Sequence, residues 1–253
     1  MSIKELQKAS EKIRTYLRPR THPLGFKLFK TSEEAEKFGW RPPNKLLTCQ
    51  VINTARIHGR ALVSTAEDSL CVIGAVALGL METPPHMASG EIFLKLGYVS
   101  DPEKAKKYQE CFARLEPVYK AFAVKPLERA NFEPDVVLFY GNAAQISLAL
   151  FALSVRYCER LQLSMFGESA LCGGIAKATI TGKPQISVPC FGERAFAGTA
   201  DDEILLIMPF PDLPNLISGL ETLYKAGMRY PIPIAGCATT VEIASILKPD
   251  YEP

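Results

Sequence analysis

LCGGIAKATITGKPQISVPC, residues 171–190, repeats the pattern of TCQVINTARIHGRALVST, residues 48–65. With Cys172 aligned on Cys49 and no gap, Ile175 meets Ile52, Ala178 meets Ala55, Ile180 meets Ile57, Gly182 meets Gly59 and Ser187 meets Ser64. Six of sixteen positions agree, where ordinary composition gives roughly one by chance. Lys183 also falls on Arg60. Glycine ten positions after each cysteine suits a helix closed by a left-handed residue. The alternation of Ala, Ile and Gly just before it suits a strand, and GGIAKATITG has poor helix propensity. The expectation is a short helical turn entering a strand in both places.

The likeness extends outward. HPLGFKLF (22–29) reads as a strand, and TSEEAEKF after it opens a helix at Thr31 or Ser32. EPDVVLFYG (133–141) reads as a strand before a long apolar helix capped near Asn142. LEPVYKA (115–121) and LETLYKA (220–226) share five of seven residues and are expected to close a helical stretch in each half. The fold expected is α/β (or α+β), with two similar strand–helix units from an internal duplication, packed about a pseudo-twofold axis. Its parts are an N-terminal helix (1–19), a first unit (20–130), a second unit (131–228) and a C-terminal tail (229–253) with a helix around Thr240–Leu247. KPLERANFEP (125–134), with its two prolines, joins the units.

Composition narrows the class. Across 253 residues, 47% hydrophobic and 22% charged, the net charge is +2. That balance argues against a nucleic-acid partner or an anionic membrane surface. The runs CVIGAVALGLM (71–81) and ISLALFALSV (146–155) are too short to span a bilayer. MSIKELQKASEKIRTYLRPR lacks the apolar core of a secretion signal, so a cytoplasmic location is expected. There are seven cysteines, and disulfides are not expected in that setting.

Four of them, Cys49, Cys71, Cys172 and Cys190, sit at matching places in the two units. A pseudo-twofold would bring them together as a thiolate cage for an iron–sulfur cluster or a tetrahedral zinc. The spacings are C-x21-C and C-x17-C, without the close pair of a strong metal signature. Small residues packing at a tight contact between units explain the same pattern. Of the others, Cys111 is expected on a helical stripe with Tyr108, Leu115 and Val118, Cys158 at the end of the apolar helix, and Cys237 in the tail. Arg60, Lys183 and Arg194 lie near the four cysteines in sequence, where cations would stabilise thiolates or bind an anion. Against a cysteine–histidine hydrolase, His58 would lie about 13 Å from Cys49 on one helix, and His22 and His86 adjoin prolines. Asp201, Asp202 and Glu203 read as the entry to a strand, and no phosphate loop is present.

TCQVINTARIHGRALV, SLCVIGAVALGL and SVPCFGERAFAGTADDEI resemble the uncharacterised prokaryotic family known as domain of unknown function 169, over about residues 10–228. Its landmarks fall on Cys49, Ala55, Gly59, Cys71 and Gly74, and on Cys172, Gly182, Cys190, Gly192 and Arg194. The resemblance implies that these positions matter and implies no reaction. The leading expectation is a [4Fe–4S] cluster, or else zinc, held by Cys49, Cys71, Cys172 and Cys190, with a redox or cofactor-handling role and a redox partner protein. The alternatives are a metal-free module taking a small anionic ligand through Arg194 with Arg60 or Lys183, and a cysteine-nucleophile enzyme. A homo-oligomer is compatible with each.

Overall fold

Strand-like runs at 24–29, 121–126, 136–141 and 204–209 are buried on both faces, which requires helices above and below them. A computed structural model, described over residues 3–158, 160 and 165–231, has that layering. The first half runs α1 (Ile3–Leu17), β1 (Leu24–Phe29), α2 (Ser32–Glu36), α3 (Thr48–His58), β2 (Leu62–Thr65) and α4 (Val72–Ala77). The short helices α5 (Pro85–Ala88), α6 (Glu91–Lys95) and α7 (Pro102–Glu110) follow, then β3 (Ala121–Pro126). The second half runs β4 (Val136–Gly141), α8 (Ala143–Tyr157), α9 (Ala170–Thr181), β5 (Gln185–Ser187), α10 (Phe191–Ala197), β6 (Ile204–Pro209) and α11 (Leu213–Lys225).

The strands form one sheet in the order β2-β3-β1-β4-β6-β5, and every strand pairing is antiparallel. The fold is therefore α+β rather than α/β. At its centre β1 pairs with β4, with Leu24 opposite Leu138 and Phe26 opposite Val136. On one face Phe26, Leu62, Phe122, Leu138 and Ile207 pack with residues of α3, α4 and α9, such as Ile52, Ala75 and Ile175. On the other face Val137, Phe139, Leu206 and Met208 pack under α1, α8 and α11. A smaller group around Phe29, Val63 and Ala35 packs α2 against the first half. Among the described residues no helix is long and apolar enough to cross a membrane.

Local expectations hold at several places. Thr31 Oγ1 accepts the Glu34 N–H, and Asn142 Oδ1 accepts the Gln145 N–H to start α8. Three readings need correction. The cysteine segments are complete helices, because burial of Ile175, Ala176 and Ala178 under the sheet outweighs the weak propensity of GGIAKATITG. LEPVYKA and LETLYKA occupy unlike elements. Residues 115–120 run without helix into β3, with Pro117 among them and the Leu115 and Tyr119 N–H groups donating to Ala77 and Gly79 carbonyls, whereas 220–225 belong to α11. Cys111 caps the C-terminus of α7 and is exposed, so Leu115 and Val118 lie beyond the helix rather than on its stripe. Cys158 ends α8 as expected, in a left-handed conformation. Cys237 and the expected helix at 240–247 lie outside the described residues.

Candidate functional site

Cys49, Cys71, Cys172 and Cys190 line one cavity of about 710 Å³, a volume typical of ligand sites. Each occupies the opening of a helix. Cys49 is the second residue of α3 and Cys172 the third of α9, while Cys71 and Cys190 immediately precede α4 and α10. The route of the chain explains the wide spacings. Helices α3 and α9, 11 and 12 residues long, run away from the cavity and end in left-handed glycines, Gly59 (φ 63°) and Gly182 (φ 61°). The short strands β2 and β5 then return the chain, delivering the second cysteine of each half. A helix of that length covers about 16 Å, and the return strand covers about 10–13 Å, with the loop after it completing the distance. The packing is crosswise, with α10 of the second half against α3 of the first, and α4 of the first against α9 of the second. The approach of α4 is close: a Cβ on Gly74 would lie 2.4 Å from Thr48 Oγ1.

Burial sets the protonation of these thiols. Cys49 is pushed up to about 12, by desolvation first and then by Glu193, Cys71 and Cys190. Desolvation also raises Cys172, followed by Cys71, while the Ser169 hydroxyl 2.9 Å from its sulfur opposes. Cys71 is raised by burial against hydrogen bonds from the Gly74 and Ile73 N–H groups, the former at 3.2 Å. Cys190 is raised by burial and by Glu193, opposed by the N–H groups of Glu193, Ala170 and Gly192. The metal-free site is thus four thiols rather than thiolates. Among the described residues, no three His, Cys, Asp or Glu side chains are already gathered closely enough to hold a metal ion.

A buried polar network stands behind the cavity. Glu193, 1% exposed, accepts the Tyr140 hydroxyl at 3.3 Å and the Cys190 N–H at 3.1 Å, and burial raises its carboxyl. The Arg56 guanidinium lies 3.9 Å from the Tyr140 ring centre and forms a two-pronged pair with Glu203, at 2.7 and 2.9 Å. Asn53 binds Arg56 and donates to Thr199 at 3.1 Å, tying α3 to the turn after α10. On the opposite wall Tyr108 donates to Glu168 at 3.1 Å.

The cations singled out from sequence do not line this cavity. Arg60 and Lys183 follow the glycine caps at the far ends of α3 and α9 and are exposed. They follow the glycines because the glycines end the helices, which carries them about 16 Å from the cysteines. Arg194 turns away to the Ala200 carbonyl and lies 3.8 Å from Asp201, so it braces the turn between α10 and β6. No histidine lines the cavity either. His58 and His86 are exposed, and His22 bonds Glu128 at 2.5 Å. Sequence reasoning missed Arg56, Tyr140, Glu168 and Glu193. A signal existed for Arg56, which shares the buried stripe of α3 with Ile52 and Asn53 at helical spacing. Glu203, expected only at a strand entry, is there and is also Arg56's partner.

No solved structure matches this chain. The uncharacterized protein MJ0308 of Methanocaldococcus jannaschii is 27% identical over 223 residues, which is 87% of this chain and 96% of the relative. The family of uncharacterised ArCR proteins, domain of unknown function 169, matches residues 12–219, more than three quarters of the chain and all four cavity cysteines, and the chain belongs to that family.

Proposed function

We propose that the protein binds an iron–sulfur cluster, of [4Fe–4S] type, through Cys49, Cys71, Cys172 and Cys190, in a redox or cofactor-handling role. One observation carries the reading. These four cysteines line a single cavity, while Cys111 and Cys158, the other described cysteines, are exposed and do not line it. The surroundings fit a cluster with thiolate ligands. Backbone N–H groups already aim at the sulfurs of Cys71 and Cys190, as donors do around cluster sulfurs. The N-termini of α3 and α9 add positive partial charge that favours an anionic centre. Ligation would offset the burial cost that keeps these thiols protonated. When bound, such a cluster supplies one-electron transfer. A redox partner would dock over the rim, where Phe191 and Phe196 are 78% and 59% exposed.

The same reading takes the halves as copies of one unit about a pseudo-twofold axis, with α3 and Cys49 answering α9 and Cys172. The sheet order supports it, since β2-β3-β1 is reversed as β4-β6-β5. So do the paired glycine caps and the crosswise packing of α10 on α3 and α4 on α9.

A cysteine nucleophile is disfavoured by thiols raised above their ordinary range with no imidazole beside them. Binding of an anion by Arg60, Lys183 or Arg194 at this cavity is disfavoured by their positions. The test is iron and sulfide analysis, with a visible spectrum, of protein purified without oxygen. About four irons and four sulfides per chain are expected, with a brown colour lost on replacing any of the four cysteines by serine and kept in Cys111→Ser and Cys158→Ser. Stoichiometric zinc in a colourless protein would establish the zinc alternative. No metal uptake after anaerobic reconstitution would defeat both.

A further inference from the structure

A second cavity, of about 430 Å³, lies beside the first and shares the wall formed by Glu168, Ser169 and Ala170. It opens between α9, the edge strand β5 and the approach to α9 at Met165 and Phe166. Two observations mark it as built for a ligand. Ser187 is 4% exposed, lines the cavity, and its hydroxyl has no hydrogen-bond partner among the described residues. A buried polar group left unpaired costs about 1–3 kcal/mol, so a hydroxyl kept in this condition is one that a ligand would satisfy. Lys177, half-buried on the same wall, has no ion-pair partner among the described residues. It lies one helical turn beyond Gly173, so a bare stretch of helix leads up to the ammonium.

We propose that this cavity binds a small monocarboxylate with an apolar body, its carboxylate held by the Lys177 ammonium and the Ser187 hydroxyl. The charge favours a monoanion. Among the described lining residues Lys177 is the one cation, the Ser169 hydroxyl is engaged with Cys172, and the Ala170 and Leu171 N–H groups at the start of α9 are committed to Cys190 and Glu193, leaving no phosphate cradle there. Met165, Phe166 and Val188 supply an apolar wall for the rest of the molecule. Among the described residues, the other ionisable side chain on the wall besides Cys111 is Glu168, which is engaged by Tyr108 on the side shared with the cysteine cavity. An occupant would therefore lie with its far end next to Ser169, whose hydroxyl touches Cys172. This pocket does not depend on what the cysteines hold.

The experiment is calorimetric titration of octanoate, at pH 7, into the full-length protein as purified. One octanoate per chain is expected. Lys177→Met and Ser187→Ala should each weaken binding about tenfold, Lys177→Arg should retain most of it, and octylamine, with the same tail and opposite charge, should not bind. Iron and sulfide content, measured on the same samples, should be unchanged in these variants, which separates loss of this pocket from loss of the cysteine centre. Absence of octanoate binding, equal affinity in Lys177→Met, or octylamine binding as tightly as octanoate would each overturn the proposal.

Discussion

Arg56 shows how a single residue ties the site to the fold. Its side chain is 1% exposed, and burying a full charge there is tolerable only because Glu203, Asn53 and Thr21 occupy its donors. Removing one partner leaves the other charge buried and unpaired, so Glu203→Gln should lower stability by about 3–5 kcal/mol, read from chemical denaturation. The double variant Arg56→Met/Glu203→Leu should cost less than the sum of the two single changes. The pH dependence follows from Glu203. Burial alone would raise its carboxyl, but the hydrogen bonds from Arg56 and the Ala200 N–H hold it below the ordinary value of 4.5. The folded state therefore binds that proton less readily than the unfolded chain. The pair's stabilisation is present above pH 4.5 and is lost as pH falls through the lower, folded value. An acid-denaturation midpoint unchanged by Glu203→Gln would refute this account. The pair spans 147 positions, so the stripe of α3 can mark Arg56 as buried but cannot name its partner.

At the scale of elements, the out-and-back course of α3–β2 and α9–β5 is what makes a C-x21-C or C-x17-C spacing useful. Periodicity and capping residues made α1, β1, α2, β4 and α8 legible in the sequence, since each carries its own signal. Helix α9 was not legible, because GGIAKATITG becomes helical only when the sheet buries Ile175 and Ala178. Gly174 within it lies close against the sheet, where a Cβ would meet Ile207 Cδ1 at 2.4 Å and require that side chain to shift. The LExxYK match failed for a related reason, in that Pro117 and backbone bonds to Ala77 and Gly79 commit one copy to an extended course. The four cysteines were legible as a set because the sequence around Cys49 resembles that around Cys172, with a further cysteine downstream of each. The network behind them was not, since it depends on contacts between halves. Close approach of elements gives a prediction here. Gly74→Ala would set a methyl against Thr48 Oγ1 and Cβ, at 2.4 and 3.0 Å, and so push the first turn of α4 from that of α3. The cost should be about 1–3 kcal/mol despite alanine's better helix propensity. With the proposed cluster, iron retention should fall in step, and a variant as stable as the parent would contradict the close packing described.

For the whole molecule, the cysteine cavity makes stability depend on pH, and on loading as well where it holds the proposed cluster. All four thiols are raised above their ordinary value of 9.0 in the folded, metal-free chain, chiefly by desolvation. Between pH 9 and the folded values, about 12 for Cys49, the unfolded chain has released protons that the folded chain still holds. The thiols therefore leave stability unaffected below pH 9 and lower it as pH rises through that window. Ligation reverses the sign, because bound thiolates have already given up their protons, so affinity for the centre should strengthen with rising pH. The expected result is that metal-free protein loses melting temperature steadily above pH 9 while loaded protein does not. Cys49→Ser and Cys172→Ser each remove one titrating group and should flatten the alkaline decline of the metal-free form. Cys111→Ser and Cys158→Ser, altering exposed thiols, should leave the decline as it is. If parent and Cys49→Ser proteins melted alike from pH 8 to 11, the buried thiols would not be what the alkaline transition reports.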